Sequence, residues 1–309
     1  NLPLDAIQGD TGIDSVKQEL GDASYMDDII GIVPDNVLRP LVEGNVLSLL
    51  LIAVAVGIAL ARMPETDSKR TLMNGLNGLQ NLVSTLIHWL IDILPIGIIA
   101  FAAQLSAEIT AGTVVTSIGK YVAVILGGNL LQFCVVLPLF LMARGLNPIR
   151  VARAMTPAVL MALFTKSSAA TLPVTIQSAE ERLGVASRVA RFVLPICTTI
   201  NMNGCAAFIF VTSLFVMQNG GVEITWGTMI MWLFISVVAA IGNAGVPMGC
   251  YFLTLSLMSG VGAPIAIMGI ILPVFTVLDM IETAENVWSD SCVAAMTDRD
   301  IRNASPRQA

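Results

Sequence analysis

Four polar residues follow one face of an apolar segment near the C-terminus: Asp279, Glu282, Asn286 and Asp290. Their offsets of 0, 3, 7 and 11 are the spacing of a single helical face. A carboxylate at mid-depth in a bilayer costs about 2.5–3.5 kcal/mol. No Lys or Arg occurs in the segment 192–298 to offset that cost. We therefore expect this face to bind a cation from outside the chain: a metal ion, a proton or an ammonium group.

The composition is that of a polytopic helical membrane protein. Hydrophobic residues make up 55% of the chain and charged residues 12%, whereas a typical soluble domain is about 25% charged. Several apolar runs approach the roughly 20 residues that a membrane-spanning helix needs. All five cysteines lie in apolar segments, so no disulfide framework is expected. The chain starts at Asn1 without a visible signal sequence, and we expect further residues to precede it.

The basic residues predict the orientation. Twelve of the 16 Lys and Arg residues occupy four places, which the positive-inside rule assigns to the cytoplasm together with the C-terminus. Apolar segments at 45–61, 79–103 and 118–143 then cross the membrane in alternating directions. The four places are formed by Arg62, Lys69 and Arg70; by Arg144, Arg150 and Arg153; by Arg182, Arg188 and Arg191; and by Arg299, Arg302 and Arg307.

Two later segments are predicted to be re-entrant hairpins. The segment 154–175 has basic clusters on both sides and a small, polar middle, TKSSAATLP, so it enters from the cytoplasm and returns. A continuous crossing follows at 189–217. The segment 226–260 is interrupted by GNAGVPMGC, which leaves each half too short to span comfortably. Interrupted segments from opposite faces favour a transport site near the bilayer midplane.

Four linked motifs resemble the dicarboxylate/amino acid:cation symporter family, the glutamate-transporter homologues. They are TKSSAATLP (165–173), NMNGCA (201–206), GNAGVP (242–247) and DxxETxxNxxxD (279–290). The segment 32–60 also looks like the fourth helix of that family. The resemblance implies an all-α membrane fold of the elevator type, with two re-entrant helical hairpins. The family's first three helices would precede residue 1.

The same resemblance implies an organisation and an activity. Residues 1–113 would form part of a scaffold and trimerisation region, 114–298 the transport region, and 299–309 a cytoplasmic tail. The protein would be a homotrimer in the plasma (inner) membrane, in contact with lipid. It would be a symporter and not an enzyme, with a small-molecule amino acid substrate, sodium as the coupled ion and no nucleic-acid partner. A proton remains an alternative to sodium.

The resemblance assigns a substrate site. Asp279 matches the aspartate that binds the substrate ammonium, through a charge-assisted hydrogen bond. An internal ion pair between Asp279 and Lys166 is the alternative from the residues alone. The small hairpin tips would let backbone N–H groups approach the substrate carboxylate. The implied substrate-binding set is Ser167, Ser168, Cys205, Gly245, Val246, Asp279, Glu282, Thr283 and Asn286.

The resemblance also assigns sodium ligands, most of them oxygens, which suit a hard cation. Gly204 weakens the helix around it, so local unwinding there is expected; close packing of this glycine on a neighbouring helix is the alternative. Asp290 could instead be a solvated carboxylate at a helix end. The implied metal-binding set is Cys197, Thr199, Asn201, Met202, Ala240, Ile241, Asn243, Asn286 and Asp290.

Two positions depart from the glutamate-transporting members. Glu282 stands where they have an arginine that holds the substrate's side-chain carboxylate, and the serine/threonine branch of the family resembles this chain there. Two carboxylates 4 Å apart repel by about 4 kcal/mol at an effective dielectric of 20, which favours a neutral substrate such as serine, threonine or alanine. If Glu282 is protonated by burial or paired with Lys166, a dicarboxylate symporter coupled to sodium or protons remains open. Asn203 replaces an aspartate, which predicts fewer coupled sodium ions.

Two unrelated functions can be weighed against transport. An intramembrane aspartyl protease needs aspartates converging from different helices, whereas Asp279 and Asp290 share one helix, about 16 Å apart. A channel would also accommodate re-entrant hairpins, but it would not show saturable uptake that depends on substrate.

Overall fold

The computed structural model of the protein describes residues 33–34, 36–40, 46–110, 115–243 and 247–304. Within these residues the regular structure is entirely helical, which confirms the predicted all-α class. Two π-helical segments, Gln132–Val136 and Ser178–Leu183, interrupt the α-helices. The α-helices are α1 Val46–Arg62, α2 Asp67–Thr110, α3 Val115–Leu131, α4 Leu137–Ala143, α5 Pro148–Thr165, α6 Ser168–Gln177, α7 Ser187–Ile200, α8 Asn203–Asn219, α9 Trp226–Ile241, α10 Gly249–Gly260 and α11 Ala266–Ala304.

Three stretches of the described chain are long and apolar enough to cross a membrane. They are Ile118–Ala143, Ser187–Asn219 and Ala266–Ala304. The first two coincide with predicted crossings, and the third contains the acidic face. The second stretch combines α7 and α8, which are separated at Asn201 and Met202, so the predicted unwinding beside Gly204 is present.

The first hairpin consists of α5 and α6, which pack against each other. The Asn147 side chain caps α5 by accepting hydrogen bonds from the N–H groups of Ile149 and Arg150, at 3.0 and 3.2 Å. Lys166 ends α5 in the left-handed conformation with φ of 54°, and Ser167 caps α6.

The predicted limits of this hairpin, 154–175, were too narrow. The helical structure runs from Pro148 to Leu183, because Asn147 starts α5 earlier and a π-helical segment continues α6. Near the end of the hairpin, Glu180 accepts a hydrogen bond from Arg191 at 2.8 Å. This bond, with a second one from Ser187, holds the pKa of Glu180 below its ordinary value.

The second hairpin consists of α9 and α10, which run from Trp226 to Ile241 and from Gly249 to Gly260. The Thr225 hydroxyl caps α9 by accepting from the Thr228 N–H at 3.2 Å. Met248 precedes α10 in the left-handed conformation with φ of 60°. Both helices of this hairpin pack on α8.

Helix α11 runs through two separate hydrophobic clusters. Its residues up to Leu278 belong to a cluster built with α3, α8, α9 and α10. From Val287 onward it belongs to a second cluster built with α4, α5 and α7. Residues 279–286 of α11 therefore lie between the two clusters. The break between α7 and α8 lies beside this same interval of α11.

Gly204 permits a close approach of α8 to α11. A Cβ built on Gly204 would lie 2.9 Å from Cα of Glu282 and 3.0 Å from its carbonyl oxygen. These are backbone atoms, so a flexible side chain cannot move aside to relieve the clash. The proposed packing role of this glycine and the unwinding beside it are therefore both present.

We predict that Gly204→Ala lowers the free energy of unfolding by about 1–3 kcal/mol, because it forces α8 away from α11. Thermal unfolding of the purified protein in detergent measures this change. Gly127→Ala is the matched control, since a Cβ at Gly127 meets nothing within 4 Å, and helix propensity favours that alanine by about 1 kcal/mol. Equal stability of the Gly204 variant and the wild-type protein would refute the close contact.

Candidate functional site

The polar face of α11 lies in the interval between the two hydrophobic clusters. Asp279, Glu282, Asn286 and Asp290 are only 3%, 1%, 2% and 1% exposed. Each contacts a helix end or a helix break: Asp279 and Glu282 contact residues at the start of α10, Asn286 the start of α8, and Asp290 the end of α7. The face is therefore buried against backbone that is not continuous helix.

Asp279 accepts a hydrogen bond from the backbone N–H of Met248 at 3.2 Å. The Thr283 hydroxyl donates to the backbone carbonyl of Asp279 at 2.7 Å, which satisfies that hydroxyl within α11. Oδ2 of Asp279 thus takes one backbone donor from the second hairpin. The carboxylate is a strong acceptor with remaining capacity for a cationic donor.

The ion pair considered between Lys166 and Asp279 or Glu282 is not formed. Among the described residues, no Lys or Arg nitrogen lies within 4.0 Å of either carboxylate. Lys166 lies in the left-handed turn of the first hairpin, and its charge acts on Asp279 only at longer range. The two carboxylates, three residues apart on α11, therefore have no paired cation in this part of the structure.

Glu282 is surrounded by sulfur and amide groups. Oε2 of Glu282 lies 3.6 Å from Sγ of Cys250, which in turn lies 3.1 Å from Sγ of Cys205. Nδ2 of Asn243 contacts Sγ of Cys205 at 3.1 Å, and Nδ2 of Asn286 contacts it at 3.5 Å. Oε1 of Glu282 has no hydrogen-bond partner among the described residues. Cys205, placed in the substrate site by the sequence, is thus adjacent to Glu282.

Two side chains of α11 accept hydrogen bonds from residues at the break between α7 and α8. Oδ1 of Asn286 accepts from the N–H of Gly204 at 2.9 Å, and so satisfies one of the free donors at the start of α8. Oδ1 of Asp290 accepts from Nδ2 of Asn201 at 2.9 Å, and Thr198 lies beside the same carboxylate. Asp290 is therefore a buried acceptor in a polar network and not a solvated carboxylate at a helix end.

The predicted sodium ligands are only partly brought together. Asn201 lies directly against Asp290. The side chains of Thr199 and Ile241 are exposed. Two of the predicted carbonyls accept local backbone N–H groups: Cys197 from Asn201 at 2.8 Å, and Ala240 from Asn243 at 3.1 Å.

The two hairpin tips differ in what can be described. Ser167 and Ser168 are buried at the start of α6, which packs against α11. Oγ of Ser167 accepts from the Ala170 N–H at 3.2 Å, so this serine caps the helix. Gly245 and Val246 lie outside the described residues, and their predicted role stays a prediction.

Two residues of the site, Ser289 and Cys250, were not found from the sequence, and neither was the buried carboxylate of Glu285, which lies off the binding face. Oγ of Ser289 accepts from Nδ2 of Asn201 at 2.9 Å and from Nδ2 of Asn203 at 2.7 Å. Glu285 is 1% exposed, and its two oxygens lack partners within the described chain. Cys250 lies beside Glu282. Glu285 does not share the helical face of Asp279, so the spacing could not indicate it. Ser289 directly precedes Asp290, and this position could have indicated it.

Comparison with known proteins decides the family. The model of the sodium:dicarboxylate symporter family matches residues 3–300. The chain belongs to the sodium:dicarboxylate symporter family. This confirms the family that the four motifs indicated.

The curated relatives of this symporter family member carry two kinds of name. Excitatory amino acid transporter 3 of Mus musculus is 33% identical over 85% of the chain and 49% of its own length. Neutral amino acid transporter A of Homo sapiens is 32% identical over 82% of the chain and 48% of its own length. Neutral amino acid transporter B(0) of Oryctolagus cuniculus is 32% identical over 82% and 47%. The chain thus spans about half the length of the curated relatives it matches.

We predict that Asn286→Ala lowers the free energy of unfolding by about 1–3 kcal/mol, because it leaves the buried Gly204 N–H without an acceptor. Chemical or thermal unfolding of the purified protein measures the loss. Asn129→Ala is the matched control, since Asn129 is also buried and neither of its amide atoms has a partner in the described structure. A loss no larger than that of the control would show that the hydrogen bond does not support α8.

Proposed function

We propose that this protein is a secondary active symporter that carries a small neutral amino acid, such as serine, threonine or alanine, inward with sodium. The observation that carries the proposal is the pair Asp279 and Glu282, two buried carboxylates without a paired Lys or Arg in the described chain. Such a pair attracts an ammonium group and repels a substrate with a second carboxylate.

The repulsion is large enough to set selectivity. At 4 Å and an effective dielectric of 20, two carboxylates repel by about 4 kcal/mol, which corresponds to roughly a thousandfold in affinity. Cys205 adds a small, weakly polar wall beside Glu282. We therefore assign Asp279 to the substrate ammonium, Glu282 with Cys205 to side-chain selectivity, and Thr283 and Asn286 to further substrate contacts. Ser167, Ser168, Gly245 and Val246 would supply the hairpin contacts to the substrate carboxylate.

Sodium coupling is supported by the family and by the arrangement of oxygens near Asp290. Asp290 and Asn201 lie together at the break between α7 and α8, and their side-chain oxygens are the ligand type that a hard cation prefers. The Asn286 carbonyl and the set Cys197, Thr199, Met202, Ala240, Ile241 and Asn243 remain proposed ligands. The Asn203 amide is engaged by Ser289 and is neutral, in keeping with fewer sodium ions per substrate.

The rest of the proposal concerns the whole assembly. It is a homotrimer in the plasma membrane, with its C-terminus in the cytoplasm. Residues 1–113 contribute to a static scaffold and 114–298 to a mobile transport region that moves by an elevator mechanism. The two hydrophobic clusters, both of which α11 joins, support treating 114–298 as one unit.

A dicarboxylate symporter is the second candidate. It is favoured by the similarity to excitatory amino acid transporter 3. The chain is 33% identical to that protein and 32% identical to neutral amino acid transporter A. It would require Glu282 to be neutral in the bound state, which burial promotes. The substrate, and not the fold, separates these two candidates.

Serine, threonine or alanine is expected to raise the melting temperature of the purified protein only when sodium is present, because a ligand that binds the native state stabilises it. Aspartate should bind about a thousandfold more weakly. Glu282→Gln removes the repulsion and is expected to recover about a hundredfold or more of the aspartate affinity, with serine affinity changed less than about tenfold.

Glu285→Gln is the control, since it neutralises a buried carboxylate of α11 that lies off the binding face. Isothermal titration calorimetry gives the serine and aspartate affinities of the wild type and of both variants directly. Tight binding of aspartate or succinate to the wild-type protein, unchanged in Glu282→Gln, would replace the neutral-substrate proposal with the dicarboxylate one.

Asp290→Asn is expected to raise the sodium concentration needed for half-maximal serine binding by about tenfold or more, because a neutral amide binds a hard cation less strongly than a carboxylate. Serine-induced stabilisation is measured across a sodium series, with choline replacing sodium at constant ionic strength. Asp298→Asn is the control, because Asp298 is a buried carboxylate of the same helix that caps α7 and pairs with Arg302. An unchanged sodium requirement in Asp290→Asn would exclude the Asp290 site.

A further inference from the structure

We infer that Cys205, Cys250 and Glu282 form a binding site for a soft divalent metal ion, Zn²⁺ or Cd²⁺. One ligand atom from each residue lies within 4.8 Å of the other two, and all three residues are buried. The three come from the starts of α8 and α10 and from the middle of α11, so a bound ion would join three helices. Cysteine and carboxylate ligands in one closed cluster are a donor set that zinc accepts.

The distances are close to those of a coordinated ion. With Zn–S bonds of about 2.3 Å and a Zn–O bond of about 2.1 Å, tetrahedral geometry requires about 3.6 Å between sulfur and oxygen and about 3.8 Å between the sulfurs. Sγ of Cys250 and Oε2 of Glu282 are 3.6 Å apart, and the two sulfurs are 3.1 Å apart. The site therefore needs only a small outward rotation of one cysteine side chain.

A fourth ligand is available beside the three. Oδ1 of Asn243 is buried and has no hydrogen-bond partner among the described residues. The other amide atom of Asn243 lies 3.1 Å from Sγ of Cys205, so a half-turn of the amide plane would bring an oxygen to the cluster. The free Oε1 of Glu282 offers a bidentate alternative. Both residues with an unpartnered oxygen thus border the same cluster.

The ligand chemistry selects the ion. Thiolates are soft and favour zinc and cadmium, whereas Mg²⁺, Ca²⁺ and sodium favour oxygen ligands. A metal can bind only when both thiols lose their protons, so binding must release protons. All five cysteines of the chain carry free thiols, so both cysteine ligands are available.

A metal at this site would occupy Glu282, and would therefore exclude the amino acid whose selectivity Glu282 sets. That consequence rests on the proposed function. The binding of the metal itself does not, because it needs only the three side chains. The two are separated by measuring metal binding without any amino acid or sodium present.

The test is a titration of the purified protein with Cd²⁺ under reducing conditions, followed by the near-ultraviolet absorbance of cadmium–thiolate bonds. We expect one ion per chain and release of about two or more protons per ion, measured with a pH indicator in weak buffer. Ca²⁺ and Mg²⁺ in excess should not compete. Absence of the thiolate absorbance, or binding without proton release, would overturn the site.

Three ligand variants locate the ion. Cys205→Ser and Cys250→Ser should each lower Cd²⁺ affinity by about a hundredfold or more, and Glu282→Gln by about tenfold or more. Helical circular dichroism without metal identifies any variant that fails to fold, and the remaining two then decide. The matched controls Cys292→Ser, a buried thiol on α11, and Cys134→Ser, an exposed thiol, should bind like the wild type. Loss of binding in a control, or retained binding in both Cys205→Ser and Cys250→Ser, would refute the assignment.

Discussion

The interval between the two hydrophobic clusters is the constraint on which the site depends. Burying a polar group in an apolar interior is costly unless the group finds a hydrogen-bond partner, and backbone freed from a helix carries this cost at every residue. Here α11 provides the partners: Asn286 receives the N–H of Gly204, and Asp279 receives that of Met248. The N-terminal ends of α8 and α10 and the polar face of α11 therefore satisfy each other. Neither would be tolerated at this depth alone.

Much of this arrangement could be predicted, because its signals are local in sequence. Helical spacing marked the face from Asp279 to Asp290, and glycine, proline and small polar residues marked the interrupted segments. The first hairpin was predicted too short because the basic clusters were taken to flank it. Arg150 and Arg153 in fact lie inside α5, which Asn147 caps before them. A helix cap is a single short side chain, so it is a weaker sequence signal for a helix start than a cluster of charges is for a helix boundary.

The remaining features depend on contacts between distant parts of the chain. Cys205 and Cys250 are separated by 45 positions, and only the packing of α10 on α8 brings their sulfurs together. Lys166 was considered as a partner for Asp279 on charge alone, but its left-handed backbone belongs to the turn of the first hairpin. Ser289 was overlooked because a serine on an apolar helix commonly bonds its own backbone. It instead receives two amides from the broken helix.

Neutral amide side chains donate hydrogen bonds to α11 near Asp290. Asn201 and Asn203 both reach Ser289, and Asn201 also reaches Asp290, so the break in the helix is bound to α11 without a second buried charge. Each amide is a good donor and carries no Born cost of burial. The network can therefore remain intact whether or not a cation is present.

The left-handed turn at Met248 has a consequence for how the second hairpin responds to Asp279. A residue with a Cβ pays about 1–2 kcal/mol for this conformation, and the hydrogen bond from the Met248 N–H to Asp279 opposes that cost. Any group that draws Oδ2 of Asp279 away leaves the turn strained and uncompensated. The occupancy of one carboxylate and the backbone conformation of a neighbouring segment are thereby thermodynamically linked, and each must shift the equilibrium of the other by the same free energy.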